Sequence, residues 1–322
     1  MGTVVALAGQ VGGARLADGL RRLRGKDLAV IVNTGDDHEI FGLAFSPDID
    51  TMLYTLGGIA SPAAGWEPAG ETYALHDMLH RLGSGQRVRV GDRSLALPLL
   101  RTEALREECS LSRVTLGLCK TLGIEARVLP MSNDPVRTVV VTDGGHVSYH
   151  EYLTELECEP VVKGFMYAGA DAARIPDEVL EALYAPDLEA IVLCPANPYH
   201  TIAPILAVQG MRELLRQCGA PVIAVSPIVG DRALKGAAGK MMRELGHEVS
   251  ARRAALEYYR LIDGFVVDSV DEAAADGIRA CGIDVAVAPT IMRSEDDRVA
   301  LAQVVLDLAQ LVRARKEAER SA

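Results

Sequence analysis

Seven short β-branched runs, each ending in turn residues, constrain what this chain can fold into more than any other feature. They cover residues 3–8, 28–33, 138–142, 190–195, 221–226, 264–268 and 284–288. Segments of helical periodicity, such as 14–23, 204–217 and 251–262, separate most of them. Strand alternating with helix predicts a doubly wound parallel sheet with helices on both faces. Ala190-Ile191-Val192-Leu193 and Val222-Ile223-Ala224-Val225 lack any polar alternation, as strands buried on both sides should. Ligands of such sheets gather at the carboxyl ends of the strands, so the residues that follow each run are the candidate site.

Between residues 50 and 127 the strand signal fades, and helical patterns at 50–56, 73–82 and 112–122 take over. The expected organisation is a core of residues 1–50 and 126–322, with a mainly helical insertion, 51–125, capping the carboxyl edge of the sheet. A second irregular stretch, 146–184, is expected to add to the cap, and 296–320 reads as a closing amphipathic helix.

The 33 basic and 44 acidic side chains leave a net charge of −11, which argues against a nucleic-acid binder. Phosphates would have to be held locally, by backbone amides, a few Arg or a metal ion. No apolar stretch approaches the ~20 residues of a membrane span. No basic-then-apolar leader opens the chain, so a cytoplasmic protein is expected. Six Cys without a Cys-x-x-Cys pair suit reduced, mostly buried thiols better than a zinc site or a disulfide frame.

Chemistry concentrates after the first two runs. Gly9, Gly12 and Gly13 lie in a turn between strand and helix, where backbone amides can meet a phosphate. The same glycines could serve only close helix–sheet packing. Asn33-Thr34-Gly35-Asp36-Asp37 can hold a ribose hydroxyl or, through its carboxylates, a divalent cation. Asp48-Ile49-Asp50-Thr51 opens a helical pattern, and either Asp would also serve as a helix cap. Four carboxylates beside a phosphate turn would repel a bare diphosphate, and a bridging Mg²⁺ resolves the conflict. Gly91-Asp92-Arg93 offers an Arg for an anionic or planar ligand. Pro195-Ala196-Asn197-Pro198 and Ser226-Pro227-Ile228-Val229-Gly230 form rigid loops after buried strands. His76 and His80 share a helix face but lack a third ligand, and His150, His200 and His247 show no partner in sequence.

Taken together, these blocks resemble the 2-phospho-L-lactate transferase family of deazaflavin coenzyme F420 biosynthesis. The resemblance runs from the glycine turn and Asp36-Asp37 through Ser46-Pro47-Asp48-Ile49-Asp50-Thr51, Gly91-Asp92-Arg93, Leu129-Pro130-Met131-Ser132, Asn197-Pro198 and Ser226–Gly230 to Lys235-Gly236-x-Ala238-Gly239-Lys240-Met241-Met242. It implies an α/β fold with a doubly wound, mostly parallel Rossmann-like sheet, a homodimer, and no nucleic-acid or membrane partner. The implied reaction carries a phospho-carboxylic acid group from a guanosine-diphospho-activated donor to the ribityl hydroxyl of the deazaflavin Fo, with Mg²⁺ required and GMP released. Carried over residue by residue, Asp36 and Asp50 bind the metal, and Asp50 is the catalytic residue. Asp50, Thr51 and Arg93 contact the acceptor, while Gly9, Gly12, Gly13, Asn197, Pro198 and Gly230 contact the nucleotide. Asp50→Asn is expected to abolish transfer and leave folding intact.

The match has departures. Gln10 replaces a glycine common in the first turn, Asn133 stands where Asp is usual, and Ser94-Leu95-Ala96-Leu97-Pro98 replaces Asp-Leu-Ala-Thr-His. A nucleotide-sugar-binding regulator on the same fold is the alternative reading. A nicotinamide-dependent dehydrogenase is disfavoured by the absent Gly-x-Gly-x-x-Gly.

Overall fold

The computed structural model describes residues 2–85, 88–230, 232–233 and 237–321. We number only the strands of its central sheet: β1 (Thr3–Ala8), β2 (Leu28–Val32), β3 (Arg127–Pro130), β4 (Leu188–Leu193), β5 (Val222–Val225), β6 (Gly264–Val267) and β7 (Asp284–Val287). All pairings are parallel, in the spatial order β3-β2-β1-β4-β5-β6-β7. The chain therefore reverses direction across the sheet between β1 and β4, where Leu7 pairs with Leu193, while Ala8 pairs with Val32 on the other side. That reversal opens a crevice at the carboxyl edge, the usual ligand position of this architecture.

Strand alternation divides the core into two layers. Val4, Ala6, Ala8, Val30, Val32, Val192 and Val225 face one cluster, and Val5, Leu7, Ala29, Ile31, Leu193 and Ala224 face the other. The first cluster is closed by α1 (Gln10–Arg24), α2 (Pro47–Leu56) and the C-terminal helix Glu295–Ser321. Ile49, Met52, Leu53 and Leu56 of α2 are buried there, so this helix crosses the expected boundary at residue 50 and belongs to the core by its packing. The remaining helices of the insertion are α3 (Ala74–Arg81), α4 (Ala96–Arg106) and α5 (Leu111–Thr121). His76 and His80 lie on α3, which buries none of its residues.

Two expectations change. The run 138–142 lies outside the central sheet, in an antiparallel sheet of Arg137–Thr142, Gly145–Ser148 and Val162–Ala168. Its burial alternates along the strand, the mark of a sheet with one dry face, and Asp143-Gly144 is a hairpin turn. The short segment Arg127–Pro130 takes its place as the edge strand beside β2. Residues 146–184 are thus partly this second sheet.

Candidate active site

Only Gly9 separates β1 from α1, so Gly12 and Gly13, expected in the turn, lie in the first turn of the helix itself. A Cβ on Gly9 would lie 2.2 Å from Asp48 Oδ2, and one on Gly12 would lie 2.4 Å from the Pro195 carbonyl oxygen. A Cβ on Gly13 would lie 3.2 Å from the Ala8 Cβ, tighter than an ordinary contact. These glycines let α1, α2 and the loop after β4 approach closely. The first amide of α1, Gln10 N, donates to Asp48 Oδ1 at 2.8 Å, so an internal carboxylate sits at this helix N-terminus and gains from its dipole.

Asp48 comes from the first turn of α2, whose entry is set by Pro47, a residue that needs no amide there. Its Oδ2 accepts from Asn33 Nδ2 at 2.9 Å, tying the ends of β1 and β2 to α2. Ser46, at the N-cap position, donates its hydroxyl to Asp37 Oδ2 at 2.8 Å. Asp36 Oδ1 and Asp37 Oδ1 are buried without a hydrogen-bond partner among the described residues. Burial pushes both carboxyls up to about 8, and burial together with the neighbouring Asp36 pushes Asp48 up to about 7.

Asp50, the next inward-facing residue of α2, meets a cation that the sequence reading missed. Arg101 of α4 is fully buried and forms an ion pair with Asp50 through both guanidinium Nη atoms. Its Nη1 also donates to the Ala44 carbonyl at 3.1 Å. Burial pushes the Asp50 carboxyl up and Arg101 pulls it back, while Asp50 raises the Arg101 pKa and keeps the guanidinium charged. The signal was present: Leu97, Arg101 and Leu105 lie four residues apart on one helix stripe, and a charge within an apolar stripe calls for a buried counter-ion. Pro98 hides the helix in the sequence but sits in its first turn, where proline is tolerated.

Asp36 raises the Asp48 carboxyl pKa and Asp50 raises that of Asp37, so the carboxylates after β2 and those of α2 act on one another electrostatically. Among the described residues no group of three or more His, Cys, Asp or Glu side chains forms a ready cage for a metal. The orphaned Asp36 and Asp37 oxygens nevertheless suit a cation held by one or two carboxylates and completed by substrate phosphates and water, as Mg²⁺ prefers.

On the nucleotide side, His200 is buried against Asp36, with Nδ1 3.4 Å from Asp36 Oδ2 and Nε2 3.0 Å from the Tyr149 hydroxyl. Its ring stacks on Tyr149 at 3.9 Å, and burial lowers its pKa to about 4, leaving it neutral. Asn197 caps the turn Pro198–Ile202, its Oδ1 accepting from Tyr199 N at 2.8 Å, and Pro198 opens that turn. Gly230 stands apart from this cluster in its contacts, its amide donating to the Asp271 carboxylate at 3.0 Å. Lys235 and Gly236 lie outside the described residues.

On the acceptor side, Arg93 is exposed, with Nη1 donating to the Ala69 carbonyl at 2.7 Å. Glu71 accepts from the amides of Arg93 and Ser94 and from the Ser94 hydroxyl, so Ser94 is built into this loop junction. Asp92 accepts from the amides of Ala74 and Leu75 at the start of α3. Thr51 is buried on α2 beside Asp50. Tyr54, one turn beyond Asp50, feels both the Asp50–Arg101 pair and Glu71, linking the loop to the carboxylates. A cleft of about 150 Å³, lined by Thr34, Asp37, Ser46, Arg101, Ser132 and Arg137 among others, adjoins the pair. Asn133 Oδ1 accepts from Ser112 N at 2.8 Å; this needs only an amide oxygen, so the missing charge costs the cap nothing.

A seven-stranded doubly wound sheet with buried carboxylates beside its switch point defines an α/β protein of the architecture that takes its ligands at the carboxyl edge. The chain belongs to the family described as 2-phospho-L-lactate transferase CofD, whose model matches residues 4–297. It is 40% identical over 318 residues to a phosphoenolpyruvate transferase of Streptomyces griseus, covering 97% of this chain and 99% of that one. It is 37% identical over 312 residues to a 2-phospho-L-lactate transferase of Methanopyrus kandleri, covering 95% and 97%. Among solved structures, a UPF0052 family member from Bacillus halodurans superposes with a TM-score of 0.62 at 16% identity, covering 95% of this chain and 98% of that one, a likeness of fold. Among the described residues no helix is long and apolar enough to cross a membrane.

Proposed function

We propose that this transferase moves a three-carbon phospho-acid group from a guanosine-diphospho-activated donor to the terminal ribityl hydroxyl of the deazaflavin Fo, a step of coenzyme F420 biosynthesis. The hydroxyl oxygen attacks the acid-bearing phosphorus, a new P–O bond forms, and the bond to the bridging oxygen breaks. GMP leaves with that oxygen, and the hydroxyl proton passes to the carboxylate cluster. The observation that carries this reading is the set of four carboxylates beside the switch point, Asp48 and Asp50 buried and Asp36 and Asp37 half-buried, the latter two each with a buried, unsatisfied oxygen. A cation offsets the repulsion that an anionic donor meets there once these carboxyls ionise.

Mg²⁺ bound here by Asp36 and Asp50 would offset the donor's charge and polarise the phosphoryl group. The chain's own residues do the rest. Arg101 holds the Asp50 carboxylate in one orientation, through both of its oxygens. Neutral His200 orients Asp36. Arg93 meets the deazaflavin, and Gly9, Gly12, Gly13, Asn197, Pro198 and Gly230 shape the nucleotide side. Transfer is then chiefly a matter of positioning two substrates and excluding water.

Calorimetric titration with Fo, GDP and a nucleotide sugar, with and without Mg²⁺, tests this reading. Fo binding and Mg²⁺-dependent GDP binding support it. Binding of a nucleotide sugar without any Fo binding would favour a nucleotide-sugar-binding regulator instead.

A further inference from the structure

Gln10 is the first residue of α1 and one of few non-glycine residues with a left-handed backbone, at φ 57°. Such a conformation is unfavourable for a residue with a Cβ, and it persists where the surrounding structure holds it. Here three contacts hold it, and all cross the crevice or close it. The Gln10 amide donates to Asp48, as described above. Its side-chain Oε1 accepts from the backbone amide of Asn197 at 3.3 Å, reaching from the loop after β1 to the loop after β4. Its Nε2 lies 3.3 Å from His200 Nε2. His200 Nε2 then acts as acceptor from Gln10, which leaves the proton on Nδ1, facing Asp36 Oδ2.

The carboxamide therefore spans the switch point where a nucleotide's phosphates would lie, and its oxygen holds a backbone N–H of the nucleotide-side loop. Both bonds are at the long end of the hydrogen-bonding range, and their acceptors are uncharged. A phosphate oxygen is a charged acceptor and makes the stronger bond to the same N–H. We propose that Gln10 is a placeholder for the donor's phosphate: its carboxamide holds the Asn197 amide in the free protein and is displaced when a nucleoside diphosphate binds. This inference rests on the guanosine-diphosphate reading of the site. In a chain with glycine at this position nothing has to be displaced, so Gln10 lowers donor affinity and keeps the empty crevice ordered.

The test is GDP titration by calorimetry, at fixed Mg²⁺, of the full-length protein and its Gln10→Gly, Gln10→Ala and Gln10→Glu variants. Removing the competing bonds should tighten GDP binding about three- to tenfold in both the Gly and the Ala variant. A carboxylate at the same place should weaken it at least tenfold, with an unchanged far-UV spectrum. A residue that merely supports the fold would weaken binding on truncation, so the sign of the change decides. Unchanged or weaker GDP binding in Gln10→Ala and Gln10→Gly, with normal binding by the unaltered protein, overturns the placeholder role alone. If the unaltered protein itself binds no GDP, the guanosine-diphosphate reading falls, and this inference with it.

Discussion

Arg101 lies wholly buried across the carboxylate of Asp50, joining α4 of the insertion to α2 of the core by an ion pair that no solvent screens. Removing one member of such a pair leaves a buried charge uncompensated, at a cost of ~3–5 kcal/mol. Asp50→Asn and Arg101→Met should therefore each lower unfolding free energy by about that amount in urea denaturation. The double variant should recover most of the loss. This revises the expectation that Asp50→Asn leaves folding intact, because the sequence does not display the cation that Asp50 balances. An Asp50→Asn variant as stable as the parent would show that the pair is not buried.

Stability should fall as pH rises from 6.5 to 8 in metal-free protein. Asp36, Asp37 and Asp48 have folded pKa values raised to about 8, 8 and 7, so the folded state holds protons that the unfolded chain has already lost. Their contribution is complete below the unfolded carboxyl range and is lost as pH climbs through the raised values. Below pH 6.5, His38 and His200, both lowered to about 4, act in the opposite sense, because the unfolded chain takes up protons that they refuse. The window above 6.5 isolates the carboxylates. Thermal melts across it should decline without Mg²⁺ and flatten with Mg²⁺, since a cation replaces the protons. A rising profile without metal would contradict the buried carboxylates.

Gly12→Ala should destabilise the protein by about 1–3 kcal/mol, because its Cβ would meet the Pro195 backbone oxygen, which cannot rotate away. Gly117→Ala is the matched control. Gly117 lies inside α5 with open space around it, so this change should stabilise by up to ~1 kcal/mol. Chemical denaturation of the two variants checks both signs at once.

The fold was legible where burial made strands almost wholly apolar, as in β1, β2, β4 and β5. It was not legible at Arg127–Pro130, four residues whose neighbour β2 supplies the pairing. At the site, the clustering of Asp36, Asp37, Asp48 and Asp50 could be read from their positions after one strand. Arg101 showed only as a charge within an apolar stripe, which does not name its counter-ion, and His200 and Tyr149 could not be read at all, because each arrives from a distant element and its role exists only in the contact it makes.

Arg93→Ala should leave the melting temperature nearly unchanged, because the side chain is exposed and its bond among the described residues is to a loop carbonyl. If Arg93 holds the deazaflavin, the KM for Fo rises about tenfold or more while GDP binding stays the same. Steady-state kinetics with Fo varied, beside a GDP titration, checks this, and an unchanged KM would remove Arg93 from the acceptor site.

The transferase reading meets its most direct test in one assay: purified protein, Fo, Mg²⁺ and guanosine-diphospho-activated phosphoenolpyruvate, phospholactate or phosphoglycerate, with product mass as the readout. The expected result is a phosphodiester adduct of Fo with at least one of the acids, one GMP released per adduct, and no adduct when Mg²⁺ is chelated. No adduct with any of the three acids, from folded protein that binds both Fo and GDP, would contradict it.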